Sequence, residues 1–240
     1  MKFLCYIADL YIEVVYRYEY TLKVFKNYIT HAKRMPDFTV EVTQDMIDYE
    51  LSLAGNVPPA YVENTAIFRY ISNMLMKNYN GLLFHSSAIS YNGNAYLFTA
   101  KSGTGKSTHT RLLCEYTNGA VKHINDDKPF VRYISEDGKF YVYGNPWQGK
   151  HGLGDNVKVP LKAVCLLNRG EVNNIEKINA LDCIYEIMKQ TVKPTDEDGV
   201  NSLMNTLSLL VSSVDFYKLY CNISDDAPKT SFEGMISLGE

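Results

Sequence analysis

From residue 100 to residue 108 the chain reads Ala-Lys-Ser-Gly-Thr-Gly-Lys-Ser-Thr. It follows the apolar run Tyr96-Leu97-Phe98 and opens a segment with helical spacing. A strand, a glycine-rich bend and a helix start in that order gather backbone N–H groups and a helix's positive end around one point. Lys106 adds an ammonium in register for the β- and γ-phosphates of a nucleotide, and Ser107 a hydroxyl in register for Mg²⁺. Gly103 and Gly105 let the backbone fold back so that its amides converge. Ser102, Thr104 and Thr108 complete the expected ATP-binding stretch. Counting back from Gly105, Ala100 occupies the place of the first glycine in the P-loop pattern, which demands a negative φ there.

Nineteen residues after Ser107 the chain reaches Asp126, within the run Asn125-Asp126-Asp127. The interval holds one helix (107–117), a turn at Asn118-Gly119 and a strand (120–124). In a parallel sheet this sets the two carboxylates beside the glycine-rich bend, at the carboxyl ends of adjacent strands. One carboxylate can then hold the Mg²⁺ shell, while its neighbour accepts a proton from an attacking hydroxyl.

Composition narrows the alternatives. The 240 residues suffice for one substantial core, and 46% apolar with 21% charged residues is ordinary for a globular protein. A net charge of −3 gives no electrostatic reason to expect nucleic acid or acidic lipid as partner. The cysteines at 5, 114, 165, 183 and 221 form no Cys-x-x-Cys pair, so buried reduced thiols in a cytoplasmic protein are expected. Residues 1–8 are too short for a signal segment, and no apolar run approaches membrane-spanning length. Nineteen tyrosines without a basic stripe read as half-buried packing, not as a stacking platform for bases.

Pattern and punctuation give the supporting elements. Strands are expected at 2–8, 11–18, 38–42, 82–91, 94–99, 130–135, 139–143, 162–168, 174–178 and 216–220. Helices are expected at 43–54, 60–78, 180–190 and 197–212, with a short one after residue 18 and another at the C-terminus. Asn92-Gly93 and Glu136-Asp137-Gly138 mark hairpins. A polar, glycine-rich loop spans 144–155. Its Trp147, Lys150 and His151 suit a lid over substrate, Lys150 placed to neutralise charge on a transferring phosphoryl group as Lys101 also could. The sum is a single α/β domain with one mixed sheet: strands and helices at 1–80, a nucleotide-binding core at 82–170, and further strands and helices at 171–240.

Ser102-Gly103-Thr104-Gly105-Lys106-Ser107, the segment His123-Ile124-Asn125-Asp126-Asp127, and His85 in the strand before the bend together resemble the HPr kinase/phosphorylase and phosphoenolpyruvate-carboxykinase superfamily. The likeness extends over 82–170 and is nearest to short HPr-kinase-like members. It implies ATP- and Mg²⁺-dependent phosphorylation of a serine-type hydroxyl on a peptide, small protein or metabolite. It implies Ser107 and Asp127 as metal ligands, Asp126 as general base, His85 as the residue that orients the base, and possible homo-oligomers. Where the family carries a Glu-Arg-Gly-Leu-Gly-like signature for the reverse reaction, this chain has Gly149-Lys150-His151-Gly152-Leu153-Gly154. Two other expectations compete with the kinase: a nucleotide hydrolase or switch, and a nucleotide-binding module that recognises a partner without catalysis.

Overall fold

The computed structural model describes residues 1–194 and 196–239. Its first unit is the antiparallel hairpin β1 (Lys2–Ile7) and β2 (Leu10–Val15). The chain reverses through Ala8 and Asp9, both at positive φ (54° and 61°), a two-residue turn whose twist suits the flanking strands but is sterically costly without glycine. Long-range bonds hold it there: the Asp9 carboxylate accepts from the Tyr143 hydroxyl at 2.6 Å and pairs with Lys158 at 2.8 Å. β3 (Phe38–Glu41) runs parallel to β2.

Three helices cover this small sheet: α1 (Tyr20–Phe25), α2 (Gln44–Ala54) and α3 (Pro59–Asn78). Thr43 caps α2 by accepting from the Met46 N–H, and Gly55 ends it at φ 73°. Pro59 starts α3, where a missing N–H costs nothing. Ile67, Ile71 and Leu75, at helical spacing, are fully buried against Cys5, Ile7 and Phe25. The same cluster takes in Leu83, Phe130 and Tyr143 from the larger sheet. The Phe25–Phe68–Trp147 stack, with centroids 5.3 and 5.0 Å apart, joins the two regions. The two buried phenylalanine rings each stabilise by about 1.5–3 kcal/mol relative to exposure.

The larger sheet has nine strands: β4 (Gly81–Leu83), β5 (Ser86–Tyr91), β6 (Asn94–Thr99), β7 (Lys122–Asn125), β8 (Phe130–Ile134), β9 (Lys139–Tyr143), β10 (Lys158–Arg169), β11 (Asn174–Ile178) and β12 (Asp215–Cys221). The order is β4-β8-β9-β10-β6-β5-β7, with β12 on β10 and β11 on β12. β6, β10 and β12 are mutually parallel. Their middles (95–99 in β6, 163–167 in β10) are buried without alternation, as strands covered on both faces must be. One face carries α4 (Lys106–Tyr116) and α7 (Asp226–Ser231), around Phe98, Leu113 and Leu219. The other carries α5 (Ile184–Lys189) and α6 (Glu197–Ser213), around Leu97, Val164 and Leu207.

The expected mixed α/β class holds, with four differences. There are two sheets, of three and nine strands, where one was expected. The run 82–91 breaks at Phe84-His85, because β4 pairs with β8 while β5 pairs with β6 and β7. β10 begins at Lys158, since 158–160 pair antiparallel with β9 before the strand turns to β6. Finally, β7 is not adjacent to β6: β5 lies between, antiparallel to both. Among the described residues no helix is long and apolar enough to cross a membrane. All five cysteines are free thiols, four of them buried.

Candidate active site

The bend after β6 has the local geometry that its residues dictate. Gly103 and Gly105 adopt φ of 79° and 125°, while Ala100 is not among the residues at positive φ. Thr104 closes the turn, donating its N–H and its hydroxyl to the Lys101 carbonyl at 3.2 and 2.7 Å. The Lys106 ammonium folds back across the bend to the Ala100 carbonyl at 3.1 Å. Burial pulls its pKa below the usual lysine range, and the Asp127 carboxylate opposes that shift. From outside, Arg169 at the end of β10 donates to the Gly103 carbonyl at 2.7 Å. The first turn of α4 is anchored beneath: Thr110 shares a 2.8 Å hydrogen bond with Ser87, and His109 pairs with Ser231 at 2.9 Å.

The acidic segment arrives from the end of β7. The Ser107 hydroxyl donates to the Asp126 carbonyl at 3.2 Å, so bend and acidic segment are directly joined. The two carboxylates have different surroundings. Asp126 is only 2% exposed. Its Oδ1 accepts from the Gly149 N–H at 2.7 Å, while its Oδ2 is buried without a partner among the described residues. A Cβ on Gly149 would come within 2.9 Å of Oδ2, so any larger residue there would push the Asp126 carboxylate aside. His123, three residues earlier in β7, is half-buried, with its buried Nδ1 unpartnered among the described residues; burial lowers its pKa and Asp126 works against that.

Asp127 faces outward into the cleft. Lys128 Nζ lies 2.5 Å from its Oδ2, and His85 Nε2 lies 3.5 Å from its Oδ1. Desolvation pushes its pKa up, but His85 and Lys128 prevail and bring it down to about 2. His85 is fixed from behind by Gln190, whose Oε1 lies 3.0 Å from Nδ1. The strand break at Phe84-His85 thus places this histidine between bend and acid.

One side chain organises the acidic side. Asn125 Oδ1 accepts the N–H groups of Asp127 and Lys128 at 3.0 and 2.8 Å, and its Nδ2 donates to the carbonyls of Asn145 and Trp147, both at 3.2 Å. Asn145 answers by donating to the Lys128 carbonyl at 2.6 Å. The 144–155 loop is therefore pinned at Asn145, Trp147 and Gly149, and again where Asp155 donates to the Ile124 carbonyl. Trp147 is held between Phe68 and Lys128, whose Nζ lies 4.8 Å from the ring centre. Lys150 and His151 stay exposed at the rim.

These parts surround a cleft of about 300 Å³, lined by Ser102, Gly103, Lys106, Ser107 and Thr108 on one side and by His85, Asp127, Lys150 and His151 on the other. Asp126 lies behind this wall. A second cleft, of about 460 Å³, shares Gly103, Gly105 and Thr108 with it and extends between Leu112, Leu167 and Ile223. A third, of about 150 Å³, shares His85. Sequence reasoning found the bend, the acids and His85. It missed Asn125 as an organiser, Arg169 and Gln190 because their partners lie far along the chain, and Lys128 because an adjacent Asp-Lys pair carries no signal of its own.

Among the described residues no three His, Cys, Asp or Glu side chains converge as a metal cage. Ser107 is bonded to the Asp126 backbone carbonyl, and the Asp126 carboxylate keeps a buried Oδ2 with no partner among the described residues; such oxygens fit a different arrangement, in which a hard cation takes one or two protein oxygens and completes its shell with phosphate and water. No family model matches the sequence, and no curated protein matches it. Solved structures that are similar include the HPr(Ser) kinase/phosphatase from Coxiella burnetii, at 10% identity and a TM-score of 0.34, over 65% of this chain and 98% of that one. Likeness at that level carries no argument about activity, which rests on the site itself.

Proposed function

We propose that this protein is an ATP- and Mg²⁺-dependent phosphotransferase that delivers the γ-phosphoryl group to a serine-type hydroxyl. The observation that carries the reading is one cleft lined by Lys106 and Ser107 on one wall and by the His85–Asp127 pair on the other. Phosphoryl transfer needs positioning and charge stabilisation more than covalent chemistry, and these groups supply both.

The adjoining 460 Å³ cleft is of a size for a nucleoside and opens onto the same glycines. Phosphates then lie along the amides of the bend, with Lys106 released from the Ala100 carbonyl to meet them. Ser107 and Asp126 would hold Mg²⁺, which supplies charge neutralisation at the β- and γ-oxygens. Asp127, in the cleft wall and ionised throughout the physiological range, takes the acceptor's proton. Burial argues for this division of labour: Asp126, behind the wall and tied to Gly149, has no path to an acceptor hydroxyl. His85 keeps the Asp127 carboxylate aimed.

The test is incubation with γ-labelled ATP and a panel of hydroxyl acceptors, alongside a nucleotide titration. Label should pass to an acceptor in the wild type, and Asp127→Asn should bind ATP yet transfer about 10²–10⁴-fold more slowly. Phosphate release at the same rate with no acceptor present would identify a hydrolase instead. Nucleotide binding without turnover would identify a binding module.

A further inference from the structure

A pocket of about 280 Å³ that phosphoryl transfer leaves unused lies between α1 and the 144–155 loop. Successive loop residues serve different neighbours. Trp147 stacks on Phe68 and lines the cleft beside His85, and Gly149 donates to Asp126, whereas Pro146 and Gln148 line this pocket. One stretch of backbone is thus shared by the pocket and the acidic wall. From the α1 side come four side chains that can donate, Lys23, Lys26, Asn27 and Tyr28, with Val24 as apolar surface. Tyr28 is fixed by its backbone: its N–H donates to the Phe25 carbonyl and its carbonyl accepts from the Tyr6 N–H, both at 2.8 Å.

We infer that this pocket is a binding site for a small dicarboxylate, held by Lys23, Lys26 and the Tyr28 hydroxyl. Charge is the first argument. The chain as a whole is at −3, yet residues 20–36 hold four Lys or Arg and no Asp or Glu. Lys23 and Lys26 are exposed and form no ion pair among the described residues. Three residues apart on one short helix they repel each other, and a dianion between them relieves that.

The second argument is an orphaned donor. Tyr28 is 3% exposed, and its hydroxyl is buried with no partner among the described residues. Gln148 lies close enough to favour the ionised phenol, but burial prevails, aided by Asp155, so the hydroxyl keeps its proton. The Gln148 amide is itself engaged by the Gly154 carbonyl at 3.3 Å. An incoming carboxylate oxygen satisfies the hydroxyl. Lining is the third argument. A phosphate is polar on every side and would turn oxygens toward Val24 and Pro146, leaving them unpaired. A dicarboxylate lays its methylenes there and reaches the donors with its ends. The volume, just under the roughly 300 Å³ at which pockets for larger ligands begin, keeps the ligand small. Once bound, it braces the loop at Pro146 and Gln148, immediately before the bond from Gly149 to Asp126.

The experiment reads binding, not turnover, so its result is independent of the phosphotransferase reading. Trp147, the only tryptophan, stands between two lining residues, and its fluorescence reports occupancy. The full chain is titrated with succinate, acetate and inorganic phosphate, with calorimetry counting the same events should the indole stay silent. Succinate should saturate one site, about tenfold or more tighter than acetate or phosphate. K23Q/K26Q, at exposed positions, should weaken it about tenfold or more. Y28F should weaken it about fivefold, the loss of one hydrogen bond, and should melt no lower than wild type because that hydroxyl has no partner to lose. Lys106→Ala should bind succinate as wild type does. No succinate binding by either readout, equal or tighter binding of phosphate, or wild-type affinity in K23Q/K26Q would overturn the inference. So would loss of succinate binding in Lys106→Ala, which would put the anion at the glycine-rich bend.

Discussion

The two walls of the central cleft are built on opposite plans. The bend wall is local in its functional atoms: Gly103, Gly105, Thr104 and Lys106 satisfy one another within seven residues, through turns and the Lys106–Ala100 bond, and the long-range bonds of Arg169, Ser87 and Ser231 only brace it from outside. The acidic wall is assembled from afar. Asp126 depends on Gly149, Asp127 on His85, and both on Asn125 reaching across to Asn145 and Trp147. A local wall can be altered chemically without disturbing the fold. A non-local wall cannot, because its functional atoms share bonds with its structural ones.

The sharpest test of that contrast is Lys106→Ala. It should lower phosphoryl transfer by about a thousandfold and remove ATP binding from a calorimetric titration. Stability should not fall, because the ammonium is buried against its preference and only one neutral carbonyl loses a partner. Unchanged nucleotide affinity would dissolve the assignment of the bend, and a large drop in melting temperature would erase the contrast. Asn125→Ala should behave in the opposite way. It strands two N–H groups and two carbonyls in a buried region, at a cost of about 4 kcal/mol in all, or roughly 10 °C in melting temperature for a chain of this size. Thermal unfolding reads it directly.

The same contrast explains what the sequence could tell. Turn glycines, the Lys-Ser register and the Asn92-Gly93 hairpin are local rules, and the structure follows them. The carboxylate pair was visible as a pair, but the different fates of Asp126 and Asp127 were not. They depend on Gly149, twenty-three residues on, and on a strand order in which β5 intervenes between β6 and β7. Expecting β7 beside β6 followed from treating those two strands as parallel neighbours within the mixed sheet. The antiparallel β5–β6 hairpin, itself legible in Asn92-Gly93, fills one edge of β6 and β10 fills the other, so β7 pairs with β5 instead. Gln190 carried no signal, since an exposed-looking glutamine at a helix end has no pattern that points to a histidine more than a hundred residues earlier.

A pH prediction probes how firmly the local wall is anchored from below. Burial brings the His109 pKa down to about 4, from an ordinary value near 6.5. Between those values the unfolded chain binds a proton that the folded one refuses, so stability rises with pH. The contribution is complete above about pH 6.5 and lost by about pH 4, a difference on the order of 3 kcal/mol. Wild type should therefore lose more stability between pH 7 and pH 4.5 than His109→Gln does, measured by chemical denaturation at each pH. Equal losses would mean that protonation of His109 is not resisted, and that the α4–α7 contact through Ser231 is looser than its 2.9 Å bond implies.

The finest test concerns His85, which sits at the break between β4 and β5 and serves Asp127 across the cleft from the bend. His85→Gln keeps a hydrogen-bonding group toward Gln190 but removes the imidazole from Asp127 Oδ1. Lys128 remains, so the carboxylate should stay ionised at neutral pH and ATP affinity should not change. What is lost is aim: kcat should fall about tenfold with KM for nucleotide held, the pattern of a group that acts on the transition state alone. The acid limb of stability should also contract. In wild type the Asp127 contribution is full above the ordinary carboxylate value and lost as pH falls towards 2. Without the imidazole the folded pKa moves back up, so that window narrows from its acid end. A variant with unaltered kcat would show that Lys128 alone positions the carboxylate, which would make the acidic wall more local than its hydrogen bonds suggest.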